Sequence, residues 1–338
     1  MKTDHILFRL VLVGSLLFLL FLPPFSHNAL ADDDSDSAAD SGDNDSGMDS
    51  DHDDDKQADK NDDDSGGGDM DDDRERPHPR KYIADAPVPA THKPAAVPVP
   101  SMDGNWWHPQ PGTKWGIQYI GKINTNIKID AFDLDLFDTD EATIREFHEH
   151  GAKVICYFSA GSYEGWRPDV KKFPASVLGR ALTGWKYERW LDIRKLDILK
   201  PIMEDRIKLA KQKNCDAIDP DNVEGYDNKS GFGLSPGDQI AFNKMLSSLG
   251  HSMGLAVGLK NDLDQVEELL PYFDFQVNEQ CFEYHSCHDL LPFIRAGKPV
   301  FNVEYNVAAE KFCPQANAMN FDSLKKDLDL GAKVKACR

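Results

Sequence analysis

The run Asp219-Pro220-Asp221-Asn222 stands where an apolar, strand-like stretch (Ala217-Ile218) breaks into a loop, and Glu279 stands near the end of a second such stretch, Phe273 to Gln280. Two acids carried at the ends of different strands are what cleavage of a glycosidic bond requires. One gives or takes a proton, and the other attacks the sugar or stabilises the positive charge that develops on it. Successive strand residues alternate faces, so Ala217, Asp219 and Asp221 share one side. If that side lines a pocket, both aspartates point into it, and either could be the one that attacks.

The last residues of other strand-like runs are Asp133 and Asp135, Ser159, Lys260 and Asn261, and Glu304 and Tyr305. A single acid in such a place serves a salt bridge or a helix cap as readily as a reaction, but five or more at strand ends point to a site. Clustered aspartates also suit an octahedral metal ion. Lys260 in the same ring would partly neutralise their field, and no metal or other cofactor is expected. No serine triad is expected, since the Gly-x-Ser-x-Gly spacing occurs only at 233–237 and 250–254, in and beside a helical stretch rather than directly after a strand, and there is no Cys-x-x-Cys for a zinc ribbon. His148 and His150 are two apart, cannot share a helix face, and read as solvated.

Positioning these groups falls to residues 101–338. Eight strand candidates start near Trp115, Ile127, Lys153, Cys215, Leu255, Phe273, Val300 and Lys333. Several are almost continuously apolar, as in strands covered on both faces. Helical stretches lie between most of them. Thr139 is a candidate N-cap and Gly151 a candidate C′ residue for one helix. Ser235-Pro236 opens another, with Phe242, Met245, Leu246, Leu249 and Met253 at helical spacing. A third starts near Pro201. Alternating strand and helix imply a parallel sheet, and the length suits a single (β/α)8 barrel with its active site at the C-terminal strand ends. An open doubly wound sheet is the rival, but no Gly-x-Gly-x-x-Gly follows the first strand.

About fifty residues separate the third and fourth strands, a length that usually carries function. All six Trp lie between 106 and 190. Trp166, in this long connection, is a candidate platform for a sugar ring, although packing of the loop onto the barrel accounts for any single Trp as well.

The N-terminal third is different in kind. Lys2 and Arg9 precede an apolar run, Leu10 to Leu22, and Ala29-Leu30-Ala31, which reads as a secretory signal over 1–31. The run is shorter than the roughly 20 residues that span a bilayer. Residues 32–100 hold 22 acids and 7 bases, and the interval from Asp32 to Asp73 has 20 Asp and no aromatic or β-branched residue. Such a segment cannot repay its chain entropy and should be a disordered linker, turning Pro/Ala/Val-rich after Pro77. The tail takes most of the formal charge of −20, leaving 101–338 only mildly acidic. That argues against nucleic acid as a partner and favours a cationic one. All six Cys lie in 101–338. In an exported chain they suggest disulfides: a local clip Cys281–Cys287, a tie Cys313–Cys337, and Cys156 and Cys215 either paired or buried as thiols. The sequons at Asn44 and Asn228 are consistent with export.

The runs VICYFSAGSYEGWRPD, GWKYERWLDIR, CDAIDPDNVEGYDN, GLAVGLKN and VNEQC, in that order, resemble glycoside hydrolase family 114, the endo-α-1,4-polygalactosaminidases. The resemblance spans nearly all of about 110–310 and excludes the Asp-rich tail. It implies a secreted (β/α)8 barrel that cleaves α-1,4-linked galactosamine polymers with Asp221 and Glu279 as the paired acids. The expected assignment is Asp221 as nucleophile and Glu279 as acid/base, with retention of configuration. Asp219, Asp135, Lys260, Asn261, Glu304, Tyr305, Ser159 and Trp166 are expected to bind substrate, and the roles of Asp219 and Asp221 could be exchanged. The implied partner is a cationic polysaccharide met by a monomeric, extracellular enzyme, free or wall-associated, with no membrane contact after signal cleavage. The alternatives are a carbohydrate-binding barrel without turnover and an acidic wall protein acting through its tail.

Overall fold

A computed structural model describes residues 104–338. The signal, the Asp-rich linker and the sequon at Asn44 lie outside the described residues. Eight parallel strands run in the order β1 (Trp115–Gln118), β2 (Ala131–Asp135), β3 (Lys153–Ser159), then, after an insertion, β7 (Ala217–Asp221), β8 (Ala256–Lys260), β9 (Phe275–Glu279), β10 (Val300–Glu304) and β11 (Asp322–Lys326). The sheet curls into a (β/α)8-type barrel. Its seam is closed by the Trp115 indole N–H, which donates to the Asp322 carbonyl at 2.6 Å, and by Tyr119 N–H, which donates to the Leu330 carbonyl at 3.0 Å.

The insertion contains strands β4 (Ser162–Glu164), β5 (Leu178–Leu182) and β6 (Trp185–Leu191), which form a separate antiparallel sheet in the order β4-β6-β5. This sheet accounts for the long connection after β3. Helix α1 (Glu141–Glu149) precedes β3, α2 (Leu196–Gln212) precedes β7, and α3 (Pro236–Ser252) precedes β8. The short α4 (Val266–Leu269) and α5 (Leu291–Arg295) precede β9 and β10, and α6 (Ala309–Ala318) precedes β11.

Local chemistry sets the helix ends. Asp140, not Thr139, caps α1: it immediately precedes the helix, and its Oδ1 accepts from Thr143 N–H, three residues on, at 2.7 Å; Gly151 follows at φ 84. Ser235 and Asp238 form a reciprocal capping box at α3, with Pro236 at its start. Helix α2 begins five residues before Pro201, which stands inside the helix and removes one of its i→i−4 hydrogen bonds. The eighth barrel strand is Asp322–Lys326, not the run near Lys333. That run forms β12 (Val334–Ala336), antiparallel to β11 and exposed. The polar sequence Asp-Ser-Leu-Lys-Lys hides β11 from a hydrophobicity reading. Lys326 is nonetheless buried, its ammonium satisfied by the Gly331 carbonyl.

Two cores follow from strand alternation. Ile218, Val257, Leu259, Cys156 and Phe158 pack outward against the helices. Trp115, Ile117, Ala131, Ile155, Ala217, Ala256, Phe275, Val277, Phe301 and Val303 fill the barrel. Trp115 stacks on Phe301 at 4.9 Å between ring centres. Gly258 makes room for this filling, because a Cβ there would lie 2.5 Å from the Phe275 ring. Each such buried aromatic contributes about 1.5–3 kcal/mol of transfer free energy.

All six cysteines are paired: Cys156–Cys215 joins β3 to the entry of β7, Cys281–Cys287 clips the loop after β9, and Cys313–Cys337 holds the C-terminus on α6. Disulfides of this number belong to oxidising compartments. Among the described residues no helix is long and apolar enough to cross a membrane. His148 is not simply solvated: its Nε2 lies 2.8 Å from Asp216 Oδ2, while His150 is exposed.

Candidate active site

Three neighbouring barrel strands end alike. Asp221 closes β7 and is followed by Asn222 at φ 60; Lys260 closes β8 before Asn261 at φ 48; Glu279 closes β9 before Gln280 at φ 64. Asn is among the residues that tolerate this left-handed region, and the sharp turn brings each amide back over the strand end. Asn261 Oδ1 accepts the Glu279 N–H at 2.9 Å, and its Nδ2 lies 3.5 Å from Glu279 Oε2. Asn222 Nδ2 donates to Ser159 Oγ at 2.9 Å and lies 3.4 Å from Asp221 Oδ2. The Asp221 carbonyl accepts the N–H groups of Ala160 and Gly161. Gly161 has to be glycine here, because a Cβ would sit 1.7 Å from the Asn222 carbonyl oxygen.

The alternation that fills the barrel with Ala217, Ala256, Phe275 and Phe301 sends Asp219, Asp221, Lys260, Glu279 and Tyr305 inward at the C-terminal end. The buried Lys260 ammonium is the hub. It lies 3.6 Å from Asp219 Oδ2, 3.5 Å from Asp221 Oδ1 and 3.7 Å from Glu279 Oε2, with the Tyr157 ring centre 5.6 Å away. Tyr157 donates its hydroxyl to Asp221 Oδ2 at 3.1 Å, and Tyr305 donates its own to Glu279 Oε1. The side chains of Asp221 and Glu279 remain 19 % and 26 % exposed, so both reach the groove. Their oxygens nearest Lys260 can stand no farther apart than the distances 3.5 and 3.7 Å laid end to end.

Burial dominates the proton affinities. It raises Asp219 to about 7; the Lys260 charge opposes the rise and those of Asp221 and Glu279 add to it. Asp133, wholly buried on β2, is pushed well above the usual carboxylate range by burial and then by Asp219. Lys260 would lose its proton more easily for being buried, but Asp221, Glu279 and Asp219 more than reverse this and hold it charged. Burial, then the neighbouring carboxylates, raises Tyr157 and Tyr305, so both stay hydroxyl donors.

Four of the expected substrate ligands are buried and engaged within the protein. Asp219 is fully buried, two residues before Asp221 on the same strand face, and lies 3.6 Å from the Lys260 ammonium. Asp135 is buried in a two-pronged pair with Arg167 (2.9 and 2.6 Å) and also accepts from Phe137 and Asp138 N–H, so it anchors the inserted sheet. Glu304 faces outward, one residue out of step with the inward Val303 and Tyr305, and its carboxylate holds the 280–283 turn through Phe282 and Glu283 N–H. Ser159 is buried and braces Asn222 and Ser162. Trp166 is exposed at the edge of the inserted sheet, 5.7 Å from the Arg167 guanidinium carbon. Lys260, Asn261 and Tyr305 do meet the two acids.

Tyr157 escaped the sequence reading, although it lies two residues before Ser159 and directly opposite Asp219 in the β3–β7 ladder. Its inward parity was the available signal. Among the described residues no group of His, Cys, Asp and Glu is arranged to hold a metal ion; at the centre of these carboxylates stands an ammonium.

Two carboxyl groups facing one groove from the strand ends on either side of β8, with a fixed cation between them, can attack a sugar and protonate its leaving oxygen. The comparisons agree with that chemistry. The model of glycoside-hydrolase family GH114 matches residues 97–338. The crystal structure of Aspergillus fumigatus Ega3 in complex with galactosamine is 39 % identical, with a TM-score of 0.66 over 69 % of this chain and 100 % of that one. The glycoside hydrolase domain of PelA from Pseudomonas aeruginosa, 11 % identical with a TM-score of 0.53, shares the fold over 66 % of this chain and 98 % of its own. No curated protein matches the sequence. The chain belongs to glycoside hydrolase family GH114.

Proposed function

We propose that this chain is a secreted, endo-acting hydrolase of α-1,4-linked galactosamine polymers, working with retention through Asp221 and Glu279. The observation that carries the reading is the convergence of these two groove-facing carboxyls on one buried ammonium. That both carboxyls reach the same ammonium is compatible with the about 5 Å separation of a retaining pair, which supports the choice of retention. Asp221 attacks the anomeric carbon from one side while Glu279 protonates the departing oxygen from the other. Water then enters, Glu279 takes its proton, and the ester to Asp221 is cleaved. Lys260 and the Tyr157 hydroxyl orient Asp221 and face its negative charge; Tyr305 and Asn261 orient Glu279. The galactosamine bound by the 39 % identical Ega3 supports the substrate class, and the three disulfides support secretion.

The test is product analysis on partially deacetylated poly-α-1,4-galactosamine. Wild-type protein should release oligomers whose new reducing ends keep the α configuration, read by NMR before mutarotation. Asp221→Asn and Glu279→Gln should fold normally and lose cleavage by several orders of magnitude. Wild-type turnover in either variant would remove that residue from the mechanism, and β products would overturn retention.

A further inference from the structure

The sugar proposed above carries an amine, yet three acids expected to meet it, Asp135, Asp219 and Glu304, are buried and engaged elsewhere. Buried carboxyl oxygens without a hydrogen-bond partner include those of Asp133 and Asp219 deep in the barrel, and one on the loop that leaves β7. Glu224 lies three residues after Asp221, on the loop that leaves β7. Its Oε2 is buried without a hydrogen-bond partner, and so is Oδ1 of Asp262, a residue only 3 % exposed. The two carboxyls are held near each other by a buried amide. Asn243 Nδ2 donates both to the Val223 carbonyl (3.0 Å) and to Asp262 Oδ2 (2.9 Å), and Gln239 fixes that amide by donating to its Oδ1 at 2.9 Å. The Glu224 carbonyl in turn accepts from Asp227 N–H and Asn228 Nδ2. The loop is therefore braced on two sides, while the Glu224 carboxyl itself has an oxygen left over.

We propose that Glu224 is the receptor for the 2-ammonium group of a galactosamine unit bound against Asp221 and Glu279, and so a specificity-determining residue. The proposal rests on the hydrolase reading above for the class of sugar. An unpaired carboxyl of this kind costs free energy in the empty protein. Burial, with the charges of Asp221, Asp262 and Glu279 adding and that of Lys260 opposing, pushes Glu224 well above the usual carboxylate range. A sugar hydroxyl or N-acetyl group gives such a carboxyl only a neutral hydrogen bond. An ammonium provides the compensating charge that lets it ionise and form a charge-assisted bond. Discrimination arises because the wrong group leaves the carboxyl without its charge partner.

The experiment compares the unmutated chain with Glu224→Gln and Glu224→Asp. One arm measures kcat/KM on α-1,4-galactosamine chains of high and low deacetylation; the other measures Kd for galactosamine and galactose by NMR titration. The wild type should prefer the deacetylated chain and bind galactosamine more tightly than galactose. Glu224→Gln should reduce both preferences tenfold or more, and Glu224→Asp should retain part of each. A purely structural role would lower both substrates together and leave the ratios unchanged, which would overturn the proposal. If the Gln variant does not fold, the wild type alone still tests it. Calorimetry in two buffers of different ionisation enthalpy should show proton release with galactosamine and none with galactose, and equal release would refute it. A wild type that cleaves neither chain but still prefers galactosamine would instead refute the hydrolase reading.

Discussion

Replacing Lys260 by Met removes the ammonium that faces Asp219, Asp221 and Glu279 at 3.6, 3.5 and 3.7 Å. At an effective dielectric of about 20, a pair at such a distance attracts by about 4–5 kcal/mol. Much of this is offset in the wild type by the cost of drying the ions, and breaking a buried pair by removing one partner costs a net of about 3–5 kcal/mol. Asp219 gives the cost a pH dependence. With Lys260 present its folded carboxyl titrates at about 7, against about 3.9 in an unfolded chain. Within that window the folded state holds a proton that the unfolded state has given up, so the contribution of Asp219 to stability falls as pH rises. Removing Lys260 takes away the charge that holds this carboxyl down, and the fall continues to higher pH. Lys260→Met and wild type should therefore differ least near pH 5 and most at pH 8. At about 2–4 °C per kcal/mol for a domain of this size, the Tm deficit at pH 8 should be about 10 °C. Thermal melts followed by circular dichroism at the two pH values measure it. An equal deficit at both, or none, would show that Lys260 is not the charge partner of these acids.

Two further outcomes follow from contacts at the rim of the site. Tyr305→Phe removes the hydroxyl that donates to Glu279. It should lower kcat by about 10²-fold with little change in Tm, and an undiminished kcat would dismiss Tyr305 as a positioning group. Asp135→Asn breaks the two-pronged pair with Arg167 and should cost about 3–5 kcal/mol in urea denaturation. A cost below about 1 kcal/mol would mean that Glu164, also paired with Arg167 at 2.8 Å, suffices to hold the inserted sheet.

The parallel strands were legible because buried strands carry apolar runs, and seven of the eight barrel strands coincide with such a run in the sequence. Strand β11 does not, since two lysines stand in its five residues and one of them is buried among backbone carbonyls. At the site, Asp221 and Glu279 were legible as acids that end apolar runs. What the sequence concealed was parity. Glu304 and Tyr305 are neighbours, yet only Tyr305 shares the inward face of Phe301 and Val303. Counting by two from the apolar interior positions would have rejected Glu304 and selected Tyr157. Asp135 has the inward parity but is claimed by Arg167, a residue 32 positions away. Such long-range capture of a carboxylate leaves no local mark in the chain.

The arrangement also bears on how an acidic groove avoids the cost of its own charge. Asp133 and Asp219 are held toward their neutral forms by burial, so the deep end adds little repulsion. Lys260 stands opposite the two carboxyls that face the groove. Burial holds Glu224 toward its neutral form, as it does Asp219, but Glu224 lies on the loop that leaves β7. On the reading proposed here, negative charge is therefore not stored in the resting site; part of it is created as the cationic sugar enters. Permanently ionised acids at all these positions would bind a polycation along its whole length and release the products slowly. A carboxyl that ionises only against a correctly seated ammonium ties the attraction to register, so the linkage placed between Asp221 and Glu279 is held more strongly than its misaligned neighbours. The selectivity ratio of Glu224→Gln and the pH-dependent deficit of Lys260→Met examine the two halves of this balance.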